Sequence, residues 1–240
     1  MTSTRICLWS SPRNISTAMM YSFAQRPDTV VFDEPLYAHY LRVTGIEHPA
    51  NAEILASQDN YADNVIRDLI MAGHGKPVAF FKQMTHHLVD VNEDFLFDVS
   101  NIIFIRDPKQ ILRSYSEVRA EVTMQDVGIE KQLYLFNKLT QGGHPPVVLD
   151  SNEILKNPPK VMAELCGALG IPFYEEMLHW PAGPRPEDGV WAPHWYANVH
   201  KTTGFKKQVS SDKPLPDYLW PLYEESKQYF NQLYTHSIKA

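Results

Sequence analysis

The chain has 240 residues, 44% of them hydrophobic and 21% charged, with a formal net charge of −6. This suits one globular domain spanning 1–240 and excludes a disordered or fibrous chain. The acidic balance also excludes the basic surface with which nucleic-acid binders track phosphates, so any anion site must be local.

Five short apolar, β-branched runs recur at 5–9, 29–33, 77–83, 101–106 and 146–150, each bounded by turn residues. Runs that are apolar on both faces suit strands of a parallel sheet covered by helices, and the segments between them carry helical periodicity. The alternation predicts an α/β fold. The opening segment MTSTRICLWSSPRN is too short in apolar residues for a signal peptide, and no later run reaches membrane-spanning length. Cys7 and Cys166 lie in apolar stretches without metal-ligand spacing, which predicts reduced core thiols in a cytoplasmic protein.

The first run leads into SSPRNISTAMMYSF, a polar turn followed by a helix opening around Ile15. A strand, turn and helix in that order aim free backbone N–H groups and the positive end of the helix dipole at one point, where anions bind. Ser16 and Thr17 would bring hydroxyls to that point and Arg13 a permanent charge. No glycine precedes Gly45, so the pattern of a Walker A loop is absent. The same residues also suit an ordinary capped helix after a strand.

Between the second and third runs, Ile54, Leu55, Tyr61, Val65, Ile66, Leu69 and Ile70 predict one amphipathic helix over 53–72. After the fourth run, Asp107 and Pro108 predict an N-cap and a first helical position, with Ile111, Leu112, Tyr115 and Val118 on one stripe. Arg106 closes the strand and Ser114 follows eight residues later, so a guanidinium and a hydroxyl could face the same sheet edge and hold a second phosphate. A surface arginine and a helix-facing serine would give the same pattern. A helix over 158–169 stops at Gly170, and a last helix is expected over 218–234. Between them, WPAGPRPEDGVWAPHWYANVH has no periodicity; its tryptophans and tyrosine suit an acceptor-pocket wall or core packing alike.

Together these segments resemble the sulfotransferases that use 3′-phosphoadenosine 5′-phosphosulfate (PAPS). Pro12, Arg13, Asn14, Ile15, Ser16 and Thr17 are similar to that family's 5′-phosphosulfate loop, with Ile15 where glycine is usual. Arg106 and Ser114 match the spacing of its 3′-phosphate element, and NEILKNPPKVMAELCGALGIPF resembles its third signature, with Asn152 where cytosolic members often carry tyrosine. The resemblance implies a P-loop NTPase-like three-layer α/β/α domain around a parallel sheet of about five strands. It implies PAPS as donor, adenosine 3′,5′-bisphosphate (PAP) as product, and a hydroxyl of a small molecule or saccharide as acceptor.

Sulfuryl transfer needs in-line positioning and charge stabilisation, and the group carries less negative charge than a phosphoryl group, so a metal is not demanded. Arg13 and Lys82 are the candidate cations at the leaving oxygen. Asp33-Glu34-Pro35-Leu36-Tyr37 resembles the FEPLW segment of carbohydrate-type members, which makes Glu34 the candidate base. His86 and His87 compete, because FKQMTHHL is loosely similar to the K-T-H segment of cytosolic members, although Lys82 and His86 are four positions apart where that motif has two. Lys201, Thr202 and Gly204 fall where the family has a loop over the nucleotide's 3′-phosphate side. An ATP-dependent kinase and a non-catalytic nucleotide-binding module are the competing functions, and the oligomeric state stays open.

Overall fold

The computed structural model describes residues 3–117, 121–206 and 214–240. Five strands, β1 (Thr4–Ser10), β2 (Thr29–Asp33), β3 (Val78–Met84), β4 (Ser100–Ile105) and β5 (Val147–Asp150), form a parallel sheet in the order β2-β3-β1-β4-β5 with flanking helices. Each strand lies within one or two residues of its apolar run, because continuous burial needs both faces apolar. Residues 6–10 of β1 and 101–105 of β4 are buried throughout.

The backbone divides into two compact units. The first comprises Met1–Leu8, Ser16–Asn101 and Tyr174–Phe205. Here helix α1 (Ser16–Ala24) starts at the residue after Ile15, and Phe23 stacks on Phe80 with ring centroids 4.1 Å apart. Strands β2 and β3 pair with Asp33 opposite Lys82, so their side chains share one face of the sheet at its carboxyl edge. Helices α2 (Tyr37–Thr44) and α3 (Asn51–Ser57) bury Tyr37, Tyr40, Leu41 and Ile54 against Trp191 and Tyr196.

The single helix expected over 53–72 is two. Helix α3 ends at Ser57, Gln58 is extended, and α4 (Ala62–Val65) runs on into a wider turn over Ile66–Ile70. Polar side chains make the break. Gln58 accepts from the Ala38 N–H at 3.1 Å and donates to the Glu34 carbonyl at 3.1 Å, while Asp59 accepts from the Tyr61 N–H at 2.8 Å. These bonds compete with the helical ladder, which the apolar spacing alone does not reveal.

The second unit comprises Trp9–Ile15, Ile102–Phe173 and Lys206–Ala240. Helix α5 (Pro108–Ser116) starts as expected, with the Asp107 carboxylate accepting from the Lys109 N–H at 2.9 Å, and buries Ile111, Leu112 and Tyr115. Val118 lies outside the described residues. Helices α6 (Met124–Val127) and α7 (Ile129–Gln141) follow, then α8 (Ser151–Lys156) and α9 (Pro158–Ala168), which Gly170 terminates at φ 67°. In the first unit, α10 (Ala192–Trp195) is a short helix within the proline-rich stretch; in the second, α11 (Trp220–Tyr234) packs on α5 and α7. Beyond α11, Ser237 and Ile238 lie along the outer edge of β5, the Ile238 N–H donating to the Val148 carbonyl at 3.1 Å. Cys7 and Cys166 are buried and not joined in a disulfide, and among the described residues no helix is long and apolar enough to cross a membrane.

Candidate active site

In the second unit, the loop after β1 and the start of α5 build a cationic corner. Asn14 fastens the loop: its amide donates to the Phe104 carbonyl at 3.1 Å and its side-chain oxygen accepts from the Ile15 N–H at 2.9 Å. Gln132 on α7 donates to the Trp9 and Phe104 carbonyls at 3.1 and 2.8 Å, which ties β1 and β4 where the loop leaves. Arg13 sits at φ 60°, a left-handed conformation that costs a non-glycine residue about 1–2 kcal/mol. Its guanidinium donates to the Ser114 hydroxyl at 2.8 Å, and Arg106 donates to the Arg13 carbonyl.

Arg106 also donates to the Gln110 side chain at 2.9 Å, and Gln110 donates to Asn152 at 3.2 Å. Among the described residues neither guanidinium has a carboxylate within ion-pair distance. Burial and the Arg13 charge hold the Arg106 guanidinium below its ordinary value, so an anion brought to this corner would be favoured. Arg13, Asn14, Arg106 and Ser114, assigned by sequence to two separate anion sites, therefore converge. Pro12 and Ile15 form the loop, and Ser16 and Thr17 open α1, where the first N–H groups lack intrahelical acceptors.

The first unit holds a different arrangement. Lys82 is fully buried, and its ammonium donates to Asp33 Oδ1 at 2.8 Å, Glu34 Oε1 at 2.5 Å and the Tyr196 hydroxyl at 2.7 Å. Tyr196 in turn donates to Asp33 Oδ2 at 2.7 Å and accepts from the Trp191 indole at 3.0 Å. The Gly189 N–H reaches the same Asp33 oxygen at 3.1 Å. Glu34 stands just after β2 at φ 42°, with its N–H on the Lys82 carbonyl at 2.8 Å. A backbone conformation of this kind persists only where the surrounding structure holds it.

Burial is the main influence on Glu34, Lys82 and His87. It pushes the Glu34 carboxyl above its ordinary range, Lys82 pulling it back and Asp33 adding to the rise. Burial disfavours the Lys82 charge, but Asp33 and Glu34 outweigh it and the ammonium stays protonated. His87 is stacked on Tyr37 and Tyr40, its Nε2 3.9 Å from Glu34 Oε2, and burial with the nearby His86 and Lys82 keeps its imidazole neutral at ordinary pH. His86 is half-buried and packs edge-on against Tyr40 and His87.

Farther along the first unit, the Thr202 hydroxyl donates to the Val199 carbonyl at 2.7 Å and accepts from the Trp180 indole at 3.1 Å. Gly204 pairs with His179, and a Cβ there would come within 2.7 Å of the Leu178 carbonyl. Lys201 is exposed. Among the described residues no three His, Cys, Asp or Glu side chains are grouped to hold a metal ion.

A sulfotransferase-domain family model matches residues 4–224. The chain belongs to the sulfotransferase domain family. Its fold is shared with the sulfotransferase domain from the curacin biosynthetic pathway, TM-score 0.59 at 17% identity, covering 97% of this chain and 98% of that one. A sulfotransferase from Alicyclobacillus acidocaldarius gives a TM-score of 0.52 at 11% identity, covering 99% and 98%. Two Arabidopsis thaliana proteins, named branched-chain-amino-acid aminotransferase-like protein 1 and 2, are 38% and 36% identical over 229 residues, 95% of this chain. The chain spans 41% of the length of each.

Within this sulfotransferase domain, sequence reasoning passed over Asp33, Gln132, Gly189, Trp191 and Tyr196 as parts of the two arrangements. Asp33 carried a signal: an acidic pair ends β2, and parallel pairing sets it opposite the lysine that ends β3. Tyr196 lies 163 positions from Asp33 and 114 from Lys82, and nothing local marks it.

Proposed function

We propose that this sulfotransferase domain moves a sulfuryl group from PAPS to a hydroxyl of a small-molecule or saccharide acceptor, leaving PAP. The observation that carries the reading is the pair of guanidiniums, Arg13 and Arg106, held together with Ser114 and, among the described residues, without a carboxylate in ion-pair contact. Permanent planar donors gathered without a direct ion pair among the described residues suit phosphate oxygens. In this reading Arg13, Asn14, Ile15, Ser16 and Thr17 hold the 5′ end of the nucleotide after Pro12 turns the chain, and Arg106 and Ser114 hold its 3′-phosphate. Lys201, Thr202 and Gly204 belong to a loop on the 3′ side.

Glu34 serves as general base. It takes the acceptor's hydroxyl proton while the acceptor oxygen bonds to sulfur and the sulfur–oxygen bond to the 5′-phosphate breaks, its electron pair leaving with the phosphate. Its raised carboxyl supports this, because a base works best with a pKa nearer the working pH. His86 and His87 are then neighbours of the base.

Isothermal titration with PAP, and in parallel with ATP and Mg²⁺, tests the reading. Saturable binding of PAP with at least about tenfold preference over ATP, a difference of about 1.4 kcal/mol, is expected. Binding of ATP alone would point to a kinase, and binding of neither would remove the proposal.

A further inference from the structure

An ammonium has three N–H donors. In Lys82 all three are taken, by Asp33 Oδ1, Glu34 Oε1 and the Tyr196 hydroxyl, and the side chain has no exposed surface. No donor remains for a leaving phosphate oxygen. The partners are fixed in their turn: Asp33 Oδ2 receives the Tyr196 hydroxyl and the Gly189 N–H, and Tyr196 receives the Trp191 indole. Glu34 is the one member with an oxygen left over. Its Oε2 makes no hydrogen bond to a described residue, the nearest ionisable group being His87 Nε2 at 3.9 Å.

From this geometry we infer that Lys82 is a positioning residue: with Asp33 and Tyr196 it pins one carboxylate oxygen of Glu34 and leaves the other for the acceptor hydroxyl. The inference rests on Glu34 being the base, and it removes Lys82 from the cations that meet the donor, leaving that work to arginines. The residues 188–196 take part through Gly189, Trp191 and Tyr196, so this loop shapes the acceptor site by orienting the base as well as by any wall it provides. The titratable groups facing Glu34 are Lys82 and Asp33 from the two strand ends, Tyr37 from α2, Tyr196 and His87.

Two substitutions should move Glu34 in opposite directions. Lys82→Met removes the pinning charge and should raise the pH at which Glu34 ionises by at least about one unit; Asp33→Asn removes the competing negative charge and should lower it. The readout is the side-chain ¹³C resonance of Glu34 in glutamate-labelled protein over a pH titration, assigned by its loss in Glu34→Gln. Asp33→Asn is isosteric, so the test survives if Lys82→Met fails to fold.

PAP affinity supplies the second readout. It should stay within about threefold of wild type in whichever of these variants folds. A Glu34 titration unmoved by Asp33→Asn, or a tenfold loss of PAP affinity in Lys82→Met, would overturn the positioning role. The Glu34 titration needs no nucleotide, so failure of the wild type to bind PAP would sink the donor assignment separately.

Discussion

The cationic corner around Arg13 and Arg106 and the buried cluster around Lys82 use the same charged chemistry in opposite ways. In the cluster every donor of the cation meets an oxygen, and the cation is fully buried. In the corner two cations stand together, Arg13 exposed, with hydroxyl, amide and carbonyl partners in place of carboxylates. A satisfied ion cluster serves the folded structure, and an unsatisfied one is ready for a ligand. The contrast says that removing a charge should cost stability in the first place and binding in the second.

The largest expected effect is on stability. Lys82→Met leaves two buried carboxylates without their cation and should destabilise the fold by about 3–5 kcal/mol, measured by denaturant unfolding. Arg106→Ala should leave the unfolding midpoint nearly unchanged and weaken PAP about 100- to 1000-fold, or about 3–4 kcal/mol, in the same calorimetric assay. If the two variants exchanged these phenotypes, the contrast would be broken.

A smaller effect probes the packing around the cluster. An added Cβ at Gly189 would lie 2.2 Å from the ring of Trp191, which is 2% exposed and hydrogen-bonded to Tyr196. Gly189→Ala should therefore cost about 1–3 kcal/mol and displace the Glu34 titration as well.

Much of the scaffold was legible because it rests on short-range rules. Double-faced apolar runs located all five strands, and Asp107-Pro108 and Gly170 located a helix start and a helix stop. The break at Gln58 escaped because its cause is a glutamine reaching back 20 and 24 positions to Ala38 and Glu34. The site divides likewise. Arg13, Glu34, Lys82, Arg106 and Ser114 lie on or beside strand ends and helix starts, where position alone suggests a role. The meeting of Arg13 with Ser114 across 101 positions, and of Tyr196 with Asp33 across 163, depends on tertiary packing.

The smallest expected effect sharpens the contrast through pH. Asp150 lies in the second unit at the end of β5, capping α8 with one oxygen while the other is buried with no hydrogen-bond partner among the described residues, and burial raises its carboxyl to about 6. A folded value above the unfolded one means that its stabilising contribution is complete below about pH 4 and is lost as pH rises through about 6. Asp150→Asn keeps a capping oxygen and carries no charge. It should be more stable than wild type by about 1–2 kcal/mol at pH 8, with the gap closing towards pH 4, in denaturant melts at the two values.

The strip formed by Ser237 and Ile238 on β5 bears on how the protein behaves in crowded solution. Strand β5 is the last of its sheet, and an unpaired strand margin is a template on which a neighbouring molecule can add its own backbone. With the Val148 carbonyl already engaged from that side, the margin is blunted by the protein's own chain, and self-association through it is disfavoured.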